Sequence, residues 1–296
     1  MKYVIEIAER GTAYYKGLRN LWCETFGDDP EFVDAFYDCF GEDIKGFVIL
    51  DEGGRVCSAL TCYPVGAYEG RMVYASYAIC TAADYRGQGL AGALTEYVKE
   101  EVILRGGISL VSPAEPSLEE FYAGLGYMPD FHVAPRAVLA ESFEDELDEF
   151  EFDEEDDFDI VRPEADIRKI DACLYNKYRE AYLAEIPHIT ACEELLSAVE
   201  LASEGFYTIN GGDAVCCVSE KKRGQLIVSE LIISPMLLEL SGEIDTEVAQ
   251  LLAKYFDAFE VSYNMPGAGV IQSMVAGFFE RTETGAPLPY FGFPID

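Results

Sequence analysis

The sequence predicts an α/β (α+β) protein: a mixed central sheet flanked by helices, in two halves that repeat one order of elements. Three observations predict it. Short runs rich in Val, Ile, Tyr and Cys alternate with stretches whose apolar residues recur at helical spacing. One strand enters a glycine-bearing turn that opens a helix, over 78–92. An acidic block at 141–159 divides the chain, and the order of elements before it recurs after it.

Residues 2–8 read as a short first strand. Tyr15, Leu18, Leu21, Trp22, Thr25 and Phe26 then recur at helical spacing, so a helix is expected over 12–26. Asp29-Pro30-Glu31 starts a second helix, with an N-cap acid, proline in the first turn and a further acid near the dipole. Its Phe32, Phe36, Tyr37 and Phe40 are expected in the core, the lining of a substrate pocket being the alternative. Three strands follow at 46–51, 56–68 and 72–81, with hairpin turns at Gly53-Gly54 and Glu69-Gly70. A helix over 89–104 closes at Gly106-Gly107, and 108–112 is a short buried strand. Ser117, with Glu120 three residues on, reads as a capping box for a helix ending at Gly126. Residues 128–139 read as closing strands.

Thirteen of the nineteen residues from Glu141 to Asp159 are acidic, and like charges at that density keep a segment extended. The expected organisation is a domain over 1–140, a linker over 141–159 and a second domain over 160–296. In the second, 163–184 and 192–202 read as helices. Strands follow at 206–209, 214–220 and 225–234, then a helix over 246–259, a strand at 260–263 and an apolar segment at 270–279.

At 296 residues, half of them hydrophobic, the chain suffices for about two domains. Its net charge is −34, and without the acidic block −21 remains, so the acidity is spread over the surface. Such a surface repels nucleic acid and anionic membranes and draws in cations. Nine cysteines form no Cys-x-x-Cys pair and stand mostly within apolar runs, as expected of reduced, buried thiols. With two histidines, His132 and His188, no metal site and no Ser-His-Asp triad is expected. Glu6 and Glu9 interrupt any apolar leader, and no run reaches the length of a membrane span. A soluble, cytoplasmic protein is expected, either a monomer or a homodimer.

The turn carries the chemistry. Gly87 and Gly89 let backbone approach a ligand without a Cβ in the way, and the first amides of the next helix have no intrahelical partner. Together they make an anion cradle suited to a pyrophosphate. No Gly-x4-Gly-Lys-Ser/Thr occurs. Gly87-Gln88-Gly89-Leu90-Ala91-Gly92 does spell the dinucleotide pattern, but that fingerprint wants the first βαβ unit and an acid beyond the next strand, where Ser112-Pro113 stands. Arg86-x-x-Gly89-x-Ala91 directly after a strand instead resembles the acyl-CoA signature of the GCN5-related N-acetyltransferases (GNAT). The order β-α-α-β-β-β-α-β-α-β over 1–140 is similar to that family's fold.

The resemblance implies acetyl-CoA in the gap between the strand before the turn and the one after the helix. Main-chain groups of Ile79 and Thr81 would hold the acetyl and pantetheine, and Arg86, Gly87, Gln88, Gly89, Leu90, Ala91 and Gly92 the pyrophosphate. Ser117 is assigned to the same co-substrate. Phe121-Tyr122-Ala-Gly-Leu-Gly126-Tyr127 resembles the family's second motif, which makes Tyr122 the proton donor to the departing thiolate. No carboxylate stands on 72–81, so the base is sought elsewhere: a water chain, Glu69 at the strand entrance, or an acid from another element. Tandem acetyltransferases of the enhanced-intracellular-survival type deliver a C-terminal carboxylate, and that likeness nominates Asp296.

The second half has Ser234–Gly242 where the first has its glycine turn, and this loop lacks Arg-x-x-Gly-x-Gly/Ala. It is expected to be a degenerate GNAT-like domain with no CoA of its own. The function expected is transfer of acetyl from acetyl-CoA to a small-molecule amine, cationic by the charge argument, or to a peptide lysine, within a ternary complex. The alternatives are a non-catalytic acyl-CoA-binding interaction protein and a nucleotide-dependent oxidoreductase.

Overall fold

The computed structural model describes residues 3–140, 165–240, 242–267, 269–277 and 289–293. In chain order its elements are β1 (Ile5–Ala8), α1 (Ala13–Phe26), α2 (Pro30–Phe40), β2 (Lys45–Leu50), β3 (Val56–Tyr68), β4 (Arg71–Thr81), α3 (Leu90–Leu104), β5 (Ile108–Val111), α4 (Ser117–Gly124) and β6 (Met128–Leu139). There follow β7 (Ile167–Ile170), α5 (Ala172–Tyr182), β8 (Thr190–Ala191), α6 (Glu193–Ala202), β9 (Gly205–Ile209), β10 (Ala214–Lys222), β11 (Gln225–Ile233), α7 (Pro235–Leu238), α8 (Ile244–Phe256), β12 (Glu260–Pro266) and β13 (Val270–Ala276). Among the described residues no helix is long and apolar enough to cross a membrane.

Local signals set most of the ends. The Thr12 hydroxyl accepts from the Tyr15 N–H at 3.2 Å and caps α1, and Gly27 ends that helix in the left-handed conformation at φ 86°. Pro30 opens α2, but Asp29 makes no side-chain cap bond. The expected capping box at α4 is not formed. Pro116 is the N-cap, Ser117 is already the first helical residue, and its hydroxyl donates to the Glu115 carboxylate at 3.2 Å. Proline at 116 has φ −56° and ψ −26°, already helical, so the capping position falls one residue ahead of the serine.

Two compact units form, and neither is continuous in sequence. One comprises Met1–Val133, Ile186–Leu201 and Gly267–Asp296; the other, Ala134–Glu185 and Ala202–Pro266. The expected division at 140 and 160 puts Ile186–Leu201 and Gly267–Asp296 in the second half, whereas these segments group with the first unit. The residues 141–159 lie outside the described ones.

In the first unit the strands run β1-β2-β3-β4-β5-β13-β6, and β8 pairs with β3. Among the named strands of this unit β4 and β5 pair in parallel, joined by the crossover helix α3. Leu90, Leu94, Val98 and Val102 line one face of α3 and pack on Phe47, Ile49 and Leu60 of β2 and β3. On the other side, α1 and α2 bring Trp22, Phe36 and Phe40 against Tyr63 and Tyr77.

The second unit pairs β7, β9, β10 and β11 antiparallel in turn and then β11 with β12 in parallel. The same succession runs from β1 to β5 in the first, so the repeated order of elements is also a repeated topology. Two expectations change. The stretch 163–184 is not one helix: β7 comes first, and Asp171 caps α5 by accepting from the Leu174 N–H at 2.7 Å. Arg168 and Lys169 hide that strand from a pattern reading, because β7 ends the strand order and both side chains are exposed. The apolar segment at 270 is not part of the second unit. It forms β13, antiparallel to both β5 and β6 of the first.

The thiols are less uniformly sealed than expected. Cys57, Cys62, Cys80, Cys216 and Cys217 are buried, Cys23, Cys39 and Cys192 half-buried, and Cys173 exposed.

Candidate active site

The site starts from a strand that parts from its neighbour. β4 and β5 pair over Val73–Ala75 and Ile108–Leu110, and their pairing stops there while β4 continues to Thr81. The register between β3 and β4 shifts between Ala59 and Thr61, where Ala78 adopts φ 49°. A non-glycine residue in the left-handed region is costly, and here it forms a β-bulge that re-aims the backbone at the opening. Beyond the bulge, Cys80 O accepts from the Ser58 hydroxyl at 2.8 Å and the Ala82 N–H donates to Cys57 O at 2.8 Å. Those groups face β3. By alternation, the main-chain groups of Ile79 and Thr81 face the gap that β5 has left.

The turn after β4 is braced from below. The Tyr85 hydroxyl donates to the Asp51 carboxylate at 2.7 Å, and Asp51 accepts the amides of Gly53 and Arg55. These bonds hold the Asp51 carboxyl below its usual range, and the bond to Asp51 raises the Tyr85 phenol to about 12. Arg55 reaches Asp84 at 3.5 Å. From this brace Gly87 and Gly89 project at φ 75° and 77°, with nothing within 4 Å of where a Cβ would stand. Residues 86–89 are exposed, and Gly89 is the left-handed N-cap of α3. The cradle is open, and its geometry fits a pyrophosphate on main-chain amides. Arg86 does not point into it: its Nε donates to Thr81 O at 3.1 Å. One of the carbonyls assigned to the co-substrate is therefore already engaged.

Tyr122 stands on α4 within a cluster that also holds Val111, Tyr127, Met274 and Ala276, with Ile79 and Leu118 packed against it. Ile79 thus packs against the cluster that holds Tyr122. Tyr122 is 7 % exposed, and burial pushes its phenol above the ordinary value of 10. Among the described residues its hydroxyl makes no hydrogen bond, whereas that of Tyr127 is tied to Ser109 at 2.8 Å. An unengaged phenol beside the opening is suited to give up a proton. Ser117 begins the same helix, exposed and bonded to Glu115.

Two parts of the site had no signal in the sequence. The Ala78 bulge lacks the glycine that flags a positive φ. The wall behind Tyr122 includes Met274 and Ala276 of β13, over 150 positions further along the chain. Glu69 lies in the turn between β3 and β4, at the end of β4 away from Ala78 and the glycine turn. Asp296 lies outside the described residues.

In the second unit the loop between β11 and α8 holds α7, and among the described residues no glycine there has a positive φ. Beyond the β11 and β12 pairing, Glu230 is fully buried and bonded to Arg179 and to the Tyr175 hydroxyl. Among its described residues that unit has no comparable cradle. Among the described residues no group of three or more His, Cys, Asp or Glu side chains is placed to hold a metal.

A sheet whose central parallel strands part around a bulge, above a glycine turn at a helix N-terminus, defines an acyltransferase-type α/β protein. Residues 15–127 match the sequence model of the Acetyltransferase (GNAT) family, and this part of the chain is a GNAT-family domain. No curated protein matches the sequence. Among solved structures, the fold is similar to a GCN5-related N-acetyltransferase from Anabaena variabilis (14 % identity, 92 % of this chain and 70 % of that one, TM-score 0.62). Another from Kribbella flavida is similar at 18 % identity, 92 % and 71 % coverage and a TM-score of 0.59. A conserved protein of unknown function from Enterococcus faecalis, described as a probable N-acyltransferase, shares 11 % identity over 92 % of this chain and 72 % of its own, with a TM-score of 0.62. Family and fold support acyl transfer.

Proposed function

We propose that the protein transfers an acetyl group from acetyl-CoA to a primary amine, directly and within a ternary complex, using a single site in the first unit. The observation that carries the reading is the meeting of Ile79, beside the left-handed Ala78, with Tyr122 in one cluster at the mouth of the parted strands. The residues Gly87 to Gly92 hold the pyrophosphate, and Ile79 extends the sheet toward the pantetheine.

The amine nitrogen attacks the thioester carbonyl, a C–N bond forms and the C–S bond breaks. The departing thiolate takes the Tyr122 proton, and the nitrogen gives up a proton to a base. As that base we retain Asp296. What supports it is the tail before it: Tyr290, Phe291 and Phe293 are fully buried, and Gln272 of β13 bonds both Gly292 N–H and Phe293 O. The surface charge of −34 supports a cationic acceptor, either a small molecule or a lysine side chain.

Calorimetric titration of the full chain with acetyl-CoA, free CoA and NAD tests the reading. One equivalent of acetyl-CoA per chain and no NAD supports it. Two equivalents refute the silent second unit, and no binding of acetyl-CoA refutes the enzyme.

A further inference from the structure

Basic side chains are scarce in this chain, 21 Lys and Arg against 55 Asp and Glu, yet three of them line one cleft. The cleft has a volume of about 330 Å³, and Arg10, Thr12, Tyr15, Lys16, Arg19 and Asp34 are in its wall. That volume suits a small ligand. Three cations face one carboxylate there, a surplus of two positive charges.

The protein sets two of these cations in place and leaves much of their capacity unspent. Asp34 of α2 pairs with Arg19 and with Arg10, and it accepts from the Tyr15 hydroxyl at 2.7 Å. The Arg10 guanidinium also lies over the Tyr15 ring, 5.6 Å from its centroid. A guanidinium carries five N–H donors. The hydrogen bonds of Arg10 leave from Nη1 alone, to Asp34 O and to the Asp38 carboxylate. Asp38 is 72 % exposed, and a surface pair of that kind is readily displaced. Arg19 bonds Asp34 through Nη1, while its Nε is buried with no acceptor among the described residues. An orphaned donor is costly, and an anion in the cleft is the acceptor nearest to hand. Lys16 is exposed and pairs with no carboxylate among the described residues.

The cleft stands apart from the opening beside β4. The Tyr15 and Tyr37 rings meet edge to face at 5.0 Å, and the Tyr37 hydroxyl shares a hydrogen bond with that of Thr61 on β3 at 2.9 Å. Two buried phenol rings therefore stand between Asp34 and the sheet.

We infer that Arg10, Lys16 and Arg19 form a binding site for a phosphate dianion, free or as the ester of a small molecule. The site is additional to the glycine cradle, and it does not depend on the acetyltransferase reading. A dianion matches the surplus of two charges where a carboxylate meets only half of it. Its terminal oxygens also take bonds from guanidinium and ammonium donors together. Nucleic acid or an anionic membrane would bring its charge against a net −34, which leaves a small molecule.

The full chain is titrated calorimetrically with glycerol 3-phosphate, inorganic phosphate and acetate at pH 8, where both phosphates are dianions. Wild type is compared with Lys16→Gln and Arg10→Gln. Lys16 has no hydrogen bond or ion pair among the described residues to lose, so K16Q keeps the fold. The expected result is one equivalent of either phosphate per chain, bound at least about tenfold more tightly than acetate and about tenfold more weakly in each variant. Absence of saturable phosphate binding overturns the assignment, and so does acetate bound as tightly. Phosphate affinity unchanged in both variants also overturns it and puts the anion in the glycine turn. Tighter binding of the ester names a phosphorylated small molecule as the occupant, and tighter or equal binding of inorganic phosphate names the free ion; both uphold the site. Phosphate binding that weakens in K16Q, in a chain that takes no acetyl-CoA, upholds the site and refutes the enzyme. Acetyl-CoA binding without phosphate binding does the reverse.

Discussion

The hydroxyls of Ser112 and Ser273 share a hydrogen bond at 2.8 Å although 161 positions separate them in the chain. Ser112 follows β5 at the mouth of the opening, and Ser273 is fully buried on β13. The strand that completes the first unit's sheet between β5 and β6 thus comes from the far end of the sequence. Ser273→Ala costs about 1 kcal/mol by leaving one partner unsatisfied, read as a modest fall in Tm. A chain ended at Pro266 loses β13 from inside the sheet, and acetyl-CoA binding with it. Retention of binding by that truncated chain counts against the role given to β13.

Tyr122→Phe removes the proposed proton donor and leaves the ring packing intact. The expected loss is about 10²-fold or more in kcat, with acetyl-CoA affinity unchanged in calorimetry. The same hydroxyl sets a limit on pH. Its pKa lies above 10 because burial disfavours the phenolate, so Tyr122 remains a donor through pH 9. Any alkaline fall in kcat due to this residue therefore begins above pH 10 and is absent from Y122F. A limb near pH 8 common to both proteins belongs to another group.

Gly66 in β3 has φ 139°, and a Cβ there would stand 2.0 Å from Thr190 O, a backbone atom of β8. The neighbour cannot give without breaking the pairing of the two strands. Gly66→Ala is expected to cost about 3 kcal/mol or more in denaturant unfolding. Gly89→Ala meets no such neighbour and costs only the left-handed penalty, about 1 kcal/mol, with weakened acetyl-CoA binding as its main effect.

Glu230 and Arg179 are both fully buried, with the Tyr175 hydroxyl completing the group. Arg179→Met strands the carboxylate in the core at a cost of about 3–5 kcal/mol. Adding Glu230→Gln recovers most of that loss, because the uncompensated charge is gone. If the single and double variants have equal Tm, the buried charge is not what the arginine is there to match.

Burial raises the Cys62, Cys80 and Cys217 thiols to about 12. At pH 8 their thiolate fraction is about 10⁻⁴, so a chromogenic disulfide reacts quickly with exposed Cys173 and not with these three. Their raised pKa values also fix the sign of the pH dependence. The folded state holds protons that the unfolded state releases from about pH 9, so these groups contribute full stability below pH 9. That contribution is lost as pH rises from 9 to 12, and Tm measured at pH 7, 9 and 10.5 should fall only over the last interval.

Much of this was legible locally. The Thr12 cap, the glycines at 27, 87 and 89, the apolar stripe of α3 and the Phe121-Tyr122 motif are signals written within a few residues of where they act. Each depends on backbone sterics or on side chains one helical turn apart, and a linear sequence carries both. The edge strand β7 escaped because solvent-facing Arg168 and Lys169 satisfy no strand pattern. Ala78 escaped because its left-handed conformation is imposed by the register of β3 against β4, and alanine itself shows no preference for it.

What the sequence by itself determined was the class of fold, the cradle and the candidate acid. Only the tertiary structure decided which segments complete the first unit. The placing of β13 beside β5, of β8 beside β3 and of Gln272 beside the tail depends on hydrogen bonds between strands far apart in the chain. An apolar segment such as Val270–Ala276 fits the interior of either half by composition. Its place is chosen by the vacant strand position between β5 and β6, where its amides find partners on both sides and Met274 fills the space behind Tyr122.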